Sequence, residues 1–456
     1  MFQFLSSKSS FTFILLLIGG SLGILGYAQL NLAPFAWEFK NFLIGQNLNH
    51  GFRLYQDIRD NTGPLTANFF QLLDFFSISL FWNAPIAFAI VVFQAYVFQY
   101  TIRRFDLMPP MGNLPFFIYL AFFHSSFELF IPSGAILGLS FLLLAWREII
   151  AQQSTLLVND RVFLIGVYIG IACLCYLSYS LFIFWAILSL LFYSSINIRQ
   201  ILLLVIGFLM ILIAAGLVFS YHGNLANFLE VYQTSSFRFQ VPSLVDIQAL
   251  AISMGPSLVL GIIGLFRVIQ NNKIRSNAQK AQQTNLIWVF ISFITLFTVP
   301  ALRVIHVVFL LPSLAYFTLN IGYLFKVYWK KELLIWTLLG SIGWSLQSEW
   351  KNQDVQRLGK AQLPLRNEKL MVLGPQLQEY QYNQMVGPFL NWELSKSLFT
   401  ELDQYKTIVI LHDYFSRESP SYIYDPEQNF VKMIPLLPNW TKNYQLVAPN
   451  LYQRKN

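Results

Sequence analysis

The sequence predicts a polytopic, all-α membrane protein with a small α/β domain at its C-terminal end. Of its 456 residues, 55% are hydrophobic and 17% aromatic, but only 11% are charged, whereas soluble domains carry about 25% charged residues. Long apolar runs recur between residues 12 and 346, and many are near the roughly 20 residues that a helix needs to cross a bilayer. After Ser345 the composition becomes polar and charged, which marks the start of the second domain.

The first apolar run extends from Phe11 to Leu32 and follows Lys8. It is longer than the core of a signal peptide and lacks an obvious small-residue cleavage site, so we expect a retained first helix. The net charge of +8 would suggest nucleic acid as a partner of a soluble protein. Here the basic residues cluster at the ends of apolar runs, a pattern that membrane topology and anionic lipid head groups explain more simply. We therefore expect membrane lipids, and not nucleic acid, as partners.

Twelve apolar segments can be assigned, which predicts about 11 or 12 transmembrane helices. They lie at residues 11–32, 66–82, 84–102, 114–131, 133–148, 162–178, 180–196, 200–220, 248–266, 286–300, 303–325 and 332–346.

The basic residues favour eleven crossings. If all twelve segments cross from a cytoplasmic Lys8, then Arg103-Arg104 and the basic linker 267–280 fall outside the cell, against the positive-inside rule. Segment 66–82 is short and contains Asp74, so we expect that it does not cross fully. Almost every basic cluster, including Lys326, Lys330 and Lys331, then becomes cytoplasmic, while the first loop (33–65) and everything after residue 347 become extracytoplasmic. A miscounted helix pair elsewhere is the alternative.

The polar tail, residues 347–456, predicts a small α/β domain that follows a transmembrane domain of residues 1–346. The runs LMVLG (370–374) and TIVILHD (407–413) are typical of short buried strands among proline-punctuated loops. Between them, NWELSKSLFTELDQY has helical spacing.

Three acids in or near the first loop are candidates for chemistry. PFAWEFKNFLIGQNL predicts a helix in the membrane interface that carries Glu38, and the turn-rich stretch GFRLYQDIRDNTGPL (51–65) carries Asp57 and Asp60. A carboxylate there can act as a general base on an acceptor hydroxyl or help to hold a divalent metal. The plainer alternative is a solvated loop in which Asp57 pairs with Arg53, and Asp60 with Arg59, as weak surface pairs.

Two further pairs of polar residues lie at the expected outer ends of apolar segments. His124 and Glu128 are four residues apart, which would place them on one face of a helix; a polar helix end that reaches the interface is the alternative. Arg303 and His306 begin a later segment, and arginine is suited to bidentate capture of a phosphate. Non-specific anchoring to lipid head groups is the alternative for Arg303.

The order of these motifs resembles that of membrane glycosyltransferases of the GT-C superfamily, of the dolichyl-phosphate-mannose mannosyltransferase-like type. The resemblance rests on GFRLYQDIRDNTGPL, with its G-x-x-x-Y-x-D pattern, on DRVFLIGVYIGIACLCYLSY (160–179) and on LRVIHVVFLLPSLAYF (302–317). FLNWELSKSLF, PSYIYDP and NLYQRK in the tail are similar to the soluble ends of bacterial members.

This resemblance implies a GT-C-like fold and an inverting transfer of a sugar, a hexose or pentose, from a polyprenyl-phosphate donor at the outer face of the plasma (inner) membrane. The acceptor would be a glycan, a lipid or a protein, and the product would be a component of the cell envelope. It implies Glu38, Asp57 or Asp60 as the base, with Tyr55, His124, Glu128, Arg303 and His306 in substrate binding. Many members carry two adjacent acids where this chain has only Glu38, so no cofactor is expected, although a divalent metal stays open.

The alternative class is a non-catalytic membrane subunit or a transporter of an envelope complex. A transporter would need ionisable pairs or broken helices near the midplane, and commonly an internal repeat. Asp74 is the only clear acid within an apolar run, and the sequence shows no repeat.

Overall fold

The computed structural model describes residues 1–30, 32–154, 158–194, 196–236, 241, 243–269, 276–299, 302–325, 327–351, 357–417 and 419–455. Lys273 and Arg275 of the basic linker 267–280, together with Lys326, lie outside these ranges.

The helices are α1 (Phe2–Leu5), α2 (Ser10–Gln29), α3 (Ala36–Asn49), α4 (Pro64–Phe75), α5 (Asn83–Arg104), α6 (Leu114–Phe123), α7 (Gly134–Ser154), α8 (Asn159–Cys175), α9 (Phe182–Tyr193), α10 (Ile198–Tyr221), α11 (Leu225–Ser236), α12 (Leu244–Ile269), α13 (Ser276–Leu296), α14 (Leu311–Leu324), α15 (Tyr328–Lys351), α16 (Trp392–Thr400), α17 (Tyr405–Arg417), α18 (Asn429–Met433) and α19 (Pro438–Thr441). The strands are β1 (Lys369–Val372), β2 (Gln384–Met385), β3 (Tyr422–Tyr424), β4 (Tyr444–Ala448) and β5 (Leu451–Arg454).

The predicted fold class is confirmed, because each of the twelve apolar segments contains a helix and the tail contains a small sheet. Among the described residues, four helices are long and apolar enough to cross a membrane by length and composition: Ser10–Gln29, Leu80–Arg104, Gly134–Ser154 and Ile198–Tyr221. Helix length does not test the expectation that segment 66–82 fails to cross, because α6 (10 residues) and α9 (12 residues) are as short as its helix. At 12 residues, α4 is about 18 Å long, shorter than the roughly 30 Å of a bilayer core.

The chain divides into two compact units. The helical unit comprises Met1–Leu32, Phe81–Tyr221 and Tyr232–Gln353, and the mixed unit comprises Ala33–Leu80, His222–Val231 and Asp354–Asn456. The structure therefore groups the first loop with most of the polar tail. The domain border predicted at residue 347 lies inside α15.

Glycines allow the closest helix packing in the helical unit. A methyl group on Gly166 of α8 would overlap the backbone oxygen of Leu204 in α10, and one on Gly207 of α10 would overlap the backbone oxygen of Phe163. The two glycines therefore let α8 and α10 pack backbone to backbone, as small residues do between membrane helices.

A hydrogen-bonded network of polar groups lies inside the helical unit. The Gln94 amide donates to the carbonyl oxygen of Ile136 (2.7 Å) and to Ser140 Oγ (2.9 Å), and it accepts from the Tyr119 hydroxyl (2.9 Å). All three side chains are buried. The network joins α5, α6 and α7, and it satisfies groups that would otherwise be costly in apolar surroundings.

The mixed unit begins with α3, the helix predicted over PFAWEFKNFLIGQNL. Its buried residues include the polar Glu38, Asn41 and Asn47 as well as apolar side chains, so both kinds of side chain pack inside this unit. Helix α4 packs on α3 where Gly45 meets the backbone of Phe70.

The tail forms a five-stranded sheet in the order β2-β1-β3-β5-β4. Strand β1, predicted over LMVLG, is an interior strand of the sheet and pairs in parallel with β2 and β3, with Met371 opposite Ile423. Strands β3 and β5 are antiparallel, as are β4 and β5. The core of this part contains Met371 and Ile423 together with the helical residues Leu398, Leu411 and Phe415.

The strand predicted over TIVILHD is wrong, because residues 407–413 lie in helix α17. Ile408, Leu411 and Phe415 pack on the sheet core, and their spacing of three and four residues is that of one helix face. The continuous apolar run fits either structure by periodicity alone. The helix prediction for NWELSKSLFTELDQY is confirmed in its first part by α16.

We expect Gly166→Ala to destabilise the helical unit by about 1–3 kcal/mol, because the backbone of α10 cannot move away as a flexible side chain could. The matched control is Gly340→Ala in α15, where an added methyl group meets no atom within 4 Å. That change should leave stability unchanged or raise it by up to about 1 kcal/mol through helix propensity. Melting temperatures of the purified proteins in detergent measure both effects. Equal melting temperatures for the two variants would contradict the packing argument.

Candidate functional site

Asp60 is the most deeply buried of the three candidate acids. Its side chain is 0% exposed and forms a 2.7 Å salt bridge with Lys40 of α3. Its other oxygen accepts hydrogen bonds from the backbone N–H of Thr62 (2.7 Å) and from the Thr62 hydroxyl. The expected surface pair with Arg59 is therefore wrong: the carboxylate is buried, and its cation comes from a helix 20 residues earlier.

Arg59 points instead to the tail and to the segment 222–231 of the mixed unit. Its backbone N–H donates to the carbonyl oxygen of Pro388 (3.0 Å), and its Nε donates to that of Leu394 (3.4 Å). The guanidinium also lies 3.4 Å from a carboxylate oxygen of Glu230. Arg59 thus joins three chain segments that are far apart in sequence.

Asp57 lies in a tight turn and pairs with Arg53, as expected. Its Oδ2 accepts from the backbone N–H of Arg53 (2.8 Å) and from Arg53 Nε (3.4 Å), and its side chain is 15% exposed. Tyr55 stands inside this turn with a positive φ of 69°. The Tyr55 ring is buried near Phe228, and its hydroxyl donates to the carbonyl oxygen of Thr62 (2.8 Å). These contacts fix the turn around the Asp57 carboxylate.

Glu38 is buried in the first turn of α3. Its Oε2 accepts from the backbone N–H of Phe35 at 3.2 Å, which caps the helix start in the manner of a capping box. The side chain is 5% exposed.

His124 and Glu128 do not share a helix face, so that expectation is wrong. Helix α6 ends at Phe123, and Glu128 belongs to a separate 3-10 turn, Phe127–Phe130. Local hydrogen bonds cause the break: the Ser125 hydroxyl bonds to a carbonyl of α6, and the Ser126 hydroxyl accepts from the backbone N–H of Glu128. Serine commonly competes with helix hydrogen bonds in this way.

The two side chains of that pair have different neighbours. The His124 ring nitrogens face the carbonyl oxygens of Leu120 (2.8 Å) and of Gly20 in α2 (3.2 Å). Glu128 is 1% exposed, and its Oε2 accepts from the backbone N–H of Ile305 at 3.0 Å. Glu128 therefore ties its own turn to the 3-10 turn Val304–Phe309.

Arg303 directly precedes that second turn, and His306 lies within it. The backbone N–H of Arg303 donates to His306 Nδ1 at 3.0 Å, so neutral His306 carries its proton on Nε2. The His306 ring lies 6.1 Å from the ring of Tyr176, at the end of α8. No hydrogen bond joins the Arg303 guanidinium to the described residues.

The structure thus gathers the candidates into two groups. Glu128, Arg303 and His306 surround one turn of the helical unit, whereas His124 contacts α2 instead. Glu38, Tyr55, Asp57 and Asp60 belong to the first loop of the mixed unit.

Sequence reasoning did not identify the contributions of Lys40, Arg59 and Tyr176. Lys40 lies 20 residues from its partner, and Tyr176 is one of many aromatic residues in apolar runs, so neither position carried a signal. In the described part of the chain, no three His, Cys, Asp or Glu side chains are placed to share a metal ion. The carboxylates of the first loop instead accept hydrogen bonds from protein donors.

The fold, compared with solved structures, is similar to that of ArnT from Cupriavidus metallidurans. The structure of ArnT bound to undecaprenyl phosphate matches with a TM-score of 0.59 and 10% sequence identity, over 97% of this chain and 98% of that one. The apo structure matches with a TM-score of 0.56 and 11% identity, over 96% and 97% of the two chains. The Archaeoglobus fulgidus oligosaccharyltransferase gives a TM-score of 0.47 at 10% identity, over 94% of this chain and 71% of that one.

No protein-family model and no curated protein matches the sequence. The structural likeness shows the fold, which is similar to that of ArnT over nearly the whole length of both chains.

We expect Asp60→Ala to lower the free energy of unfolding by about 3 kcal/mol, because it leaves Lys40 without its anion and the Thr62 N–H without an acceptor. Asp57→Ala, in the partly exposed pair, should cost about 1 kcal/mol or less. The double change Lys40→Gln and Asp60→Asn should recover part of the loss, since it leaves no unpaired charge. Melting curves in detergent measure all three. A loss for Asp60→Ala no larger than that for Asp57→Ala would contradict a structural role for Asp60.

Proposed function

We propose that this chain is a glycosyltransferase that moves a sugar from a polyprenyl-phosphate donor to an acceptor at the outer face of the plasma membrane. The observation that carries the proposal is the likeness of fold, over 97% of the chain, to ArnT bound to undecaprenyl phosphate. A polyprenyl phosphate has one ionised head on a long apolar chain. A protein that uses it needs a cation at membrane depth, and the helical unit offers Arg303.

The charge distribution of the helical unit supports the proposed sidedness. The C-terminal part of α7 and the starts of α8, α10 and α13 carry Arg147, Arg161, Arg199 and Lys280. Hydrogen bonds join these helix ends, from Lys280 Nζ to the Gln153 carbonyl (3.3 Å) and from Gln200 to Asn159 (3.0 Å). We call this the basic end. The positive-inside rule makes it cytoplasmic, which leaves Glu128 and Arg303 at the outer end.

Arg303 is the proposed ligand of the donor phosphate. When the bond between the sugar and the phosphate breaks, the phosphate gains negative charge, so a fixed cation stabilises the transition state more than the ground state. His306 adds a neutral N–H donor, because the backbone N–H of Arg303 occupies its Nδ1. Glu128 acts as a positioning residue, since it holds the turn through the N–H of Ile305 and not through the arginine.

Asp57 is the proposed base among the three acids. The carboxylate of Asp60 is fully buried with Lys40, and that of Glu38 caps α3, whereas Asp57 is partly exposed on its turn. It would take the proton of the acceptor hydroxyl as the oxygen attacks the anomeric carbon. The new glycosidic bond replaces the bond to phosphate, the configuration inverts, and polyprenyl phosphate leaves.

The other candidates have positioning roles in this proposal. Tyr55 and Asp60 hold the two limbs of the first loop, and Glu38 holds the start of α3. His124 fixes α6 against α2.

We expect Asp57→Asn to reduce sugar transfer by at least about 100-fold, the usual contribution of a general base. Asparagine keeps an oxygen for the N–H of Arg53, so the protein should reach the membrane in normal amounts. The matched control is Asp74→Asn in α4, an acid of the same unit whose side chain accepts from Asn49 (2.7 Å). Surface glycans of cells that carry each variant as the sole copy, normalised to the membrane level of the chain, give the comparison. Normal glycans with Asp57→Asn would exclude Asp57 as the base.

We expect Arg303→Gln to weaken binding of undecaprenyl phosphate by about tenfold or more, the usual effect of losing a charge-assisted hydrogen bond. The turn should persist, because its hydrogen bond to His306 comes from the backbone of residue 303. Arg199→Gln, at the basic end, removes the same charge and serves as the control. Native mass spectrometry with added undecaprenyl phosphate measures the affinities. Equal binding of undecaprenyl phosphate to the unchanged protein, to Arg303→Gln and to Arg199→Gln would favour a non-catalytic subunit or a transporter over the proposed enzyme.

A further inference from the structure

A cavity of about 630 Å³ lies at the basic end of the helical unit, between the end of α9 and the first turns of α13. Its volume is within the usual range for a small-molecule site. It is lined by Leu191, Phe192, Tyr193, Ser194, Ile196, Gln279, Lys280 and Gln283.

The polar part of this lining suits an anion. Lys280 supplies an ammonium group, Gln279 and Gln283 supply amide donors, and none of the eight described lining residues is acidic. Lys280 forms no salt bridge with the described residues; its Nζ donates to the carbonyl oxygen of Gln153 at 3.3 Å. An ammonium group has three protons, so this contact leaves donors for a ligand.

The apolar part of the lining points to a lipid. The side chains of Leu191 and Phe192 on α9 are 45% and 68% exposed, and acyl chains would cover them. Tyr193 follows at the helix end, the usual depth of aromatic residues in a membrane interface. A ligand that contacts both parts would combine an anionic head group with hydrocarbon chains.

The cavity is distinct from the proposed donor site. Helix α7 has 21 residues and is therefore about 30 Å long. Its start follows the Glu128 turn, and its end at Gln153 accepts the hydrogen bond of Lys280. The cavity and Arg303 are thus separated by about the thickness of a bilayer core.

We propose that this cavity binds the phosphodiester head group of an anionic phospholipid of the cytoplasmic leaflet, with Lys280 as the main phosphate ligand. Gln279 and Gln283 donate to the remaining head-group oxygens, and the acyl chains lie along Leu191 and Phe192. Anionic lipids are concentrated in the cytoplasmic leaflet. The positive-inside rule places the basic end on the same side of the membrane. This binding does not depend on sugar transfer.

Native mass spectrometry of the full chain in detergent, with phosphatidylglycerol added, tests the proposal. We expect Lys280→Gln to weaken phosphatidylglycerol binding about tenfold, since it removes a charged hydrogen bond. Lys330→Gln removes the same charge from an exposed position outside the lining, and it should change the affinity by less than about twofold, as exposed charges do. Equal losses in both variants would show non-specific attraction to surface charge and would overturn the site.

A pair of changes at Gln279 separates charge from folding. Gln279 is exposed, so both Gln279→Glu and Gln279→Lys should fold. We expect the glutamate to weaken binding and the lysine to maintain or strengthen it, whereas a structural disturbance would weaken both. A decrease with lysine as large as that with glutamate would overturn the proposal. Displacement of the lipid by millimolar inorganic phosphate would overturn the lipid as ligand and indicate a free phosphate instead.

Discussion

The conformation of the first loop depends on how the buried charge of Asp60 is neutralised. A carboxylate with no exposure to water is stable only when a cation and hydrogen-bond donors surround it, and here Lys40 and Thr62 supply both. The pair fixes the end of the loop to α3. Arg59, the preceding residue, points the other way and bonds to the tail. Asp60 and Arg59 therefore hold the loop on two sides. Asp57 lies in the turn that directly precedes these two residues.

The same requirement organises the end of the helical unit opposite the basic end. Two 3-10 turns, Phe127–Phe130 and Val304–Phe309, leave backbone N–H groups that no helix hydrogen bond satisfies. Glu128 accepts one of them from Ile305, and His306 accepts another from Arg303. Because backbone groups make these bonds, the guanidinium of Arg303 is not needed to hold the turn. A side chain that the fold does not use is suited to bind a ligand.

The apolar segments could be predicted from the sequence because crossing a lipid bilayer requires apolar helices, and each predicted segment contains a helix, although α4, α6 and α9 have only 10 to 12 residues. Local chemistry that competes with the helix was harder to predict. HSSFE satisfied the spacing of one helix face, but its two serines bond to the backbone and end α6. TIVILHD is apolar at consecutive positions, so its helical face appears only when Leu411 and Phe415 are seen against the sheet.

Pairing of charges was the least predictable property of the candidate site. Proximity in sequence predicted one pair between Arg59 and Asp60 and another between Arg53 and Asp57. Only the pair between Arg53 and Asp57 forms. That pair closes within a single turn, so sequence distance and spatial distance agree. The partner of Asp60 comes from α3, and nothing in the spacing of the two residues indicates it. A charge pair between residues that only the fold brings together can be assigned only once the structure is known.

The distance between the two ends of α7 gives the helical unit two electrostatically independent regions. At about 30 Å, two unit charges interact by only about 0.6 kcal/mol even at an effective dielectric constant of 20, and salt screens this further at the exposed ends. In the proposed mechanism Lys280 therefore cannot stabilise the phosphate that would leave at Arg303, and Arg303 cannot attract the lipid proposed for the cavity at the basic end. Under both proposals, each region would have to recognise its anion with its own hydrogen-bond donors. Beside Arg303 the further donor would be the Nε2 proton of His306, and beside Lys280 the further donors would be the amides of Gln279 and Gln283.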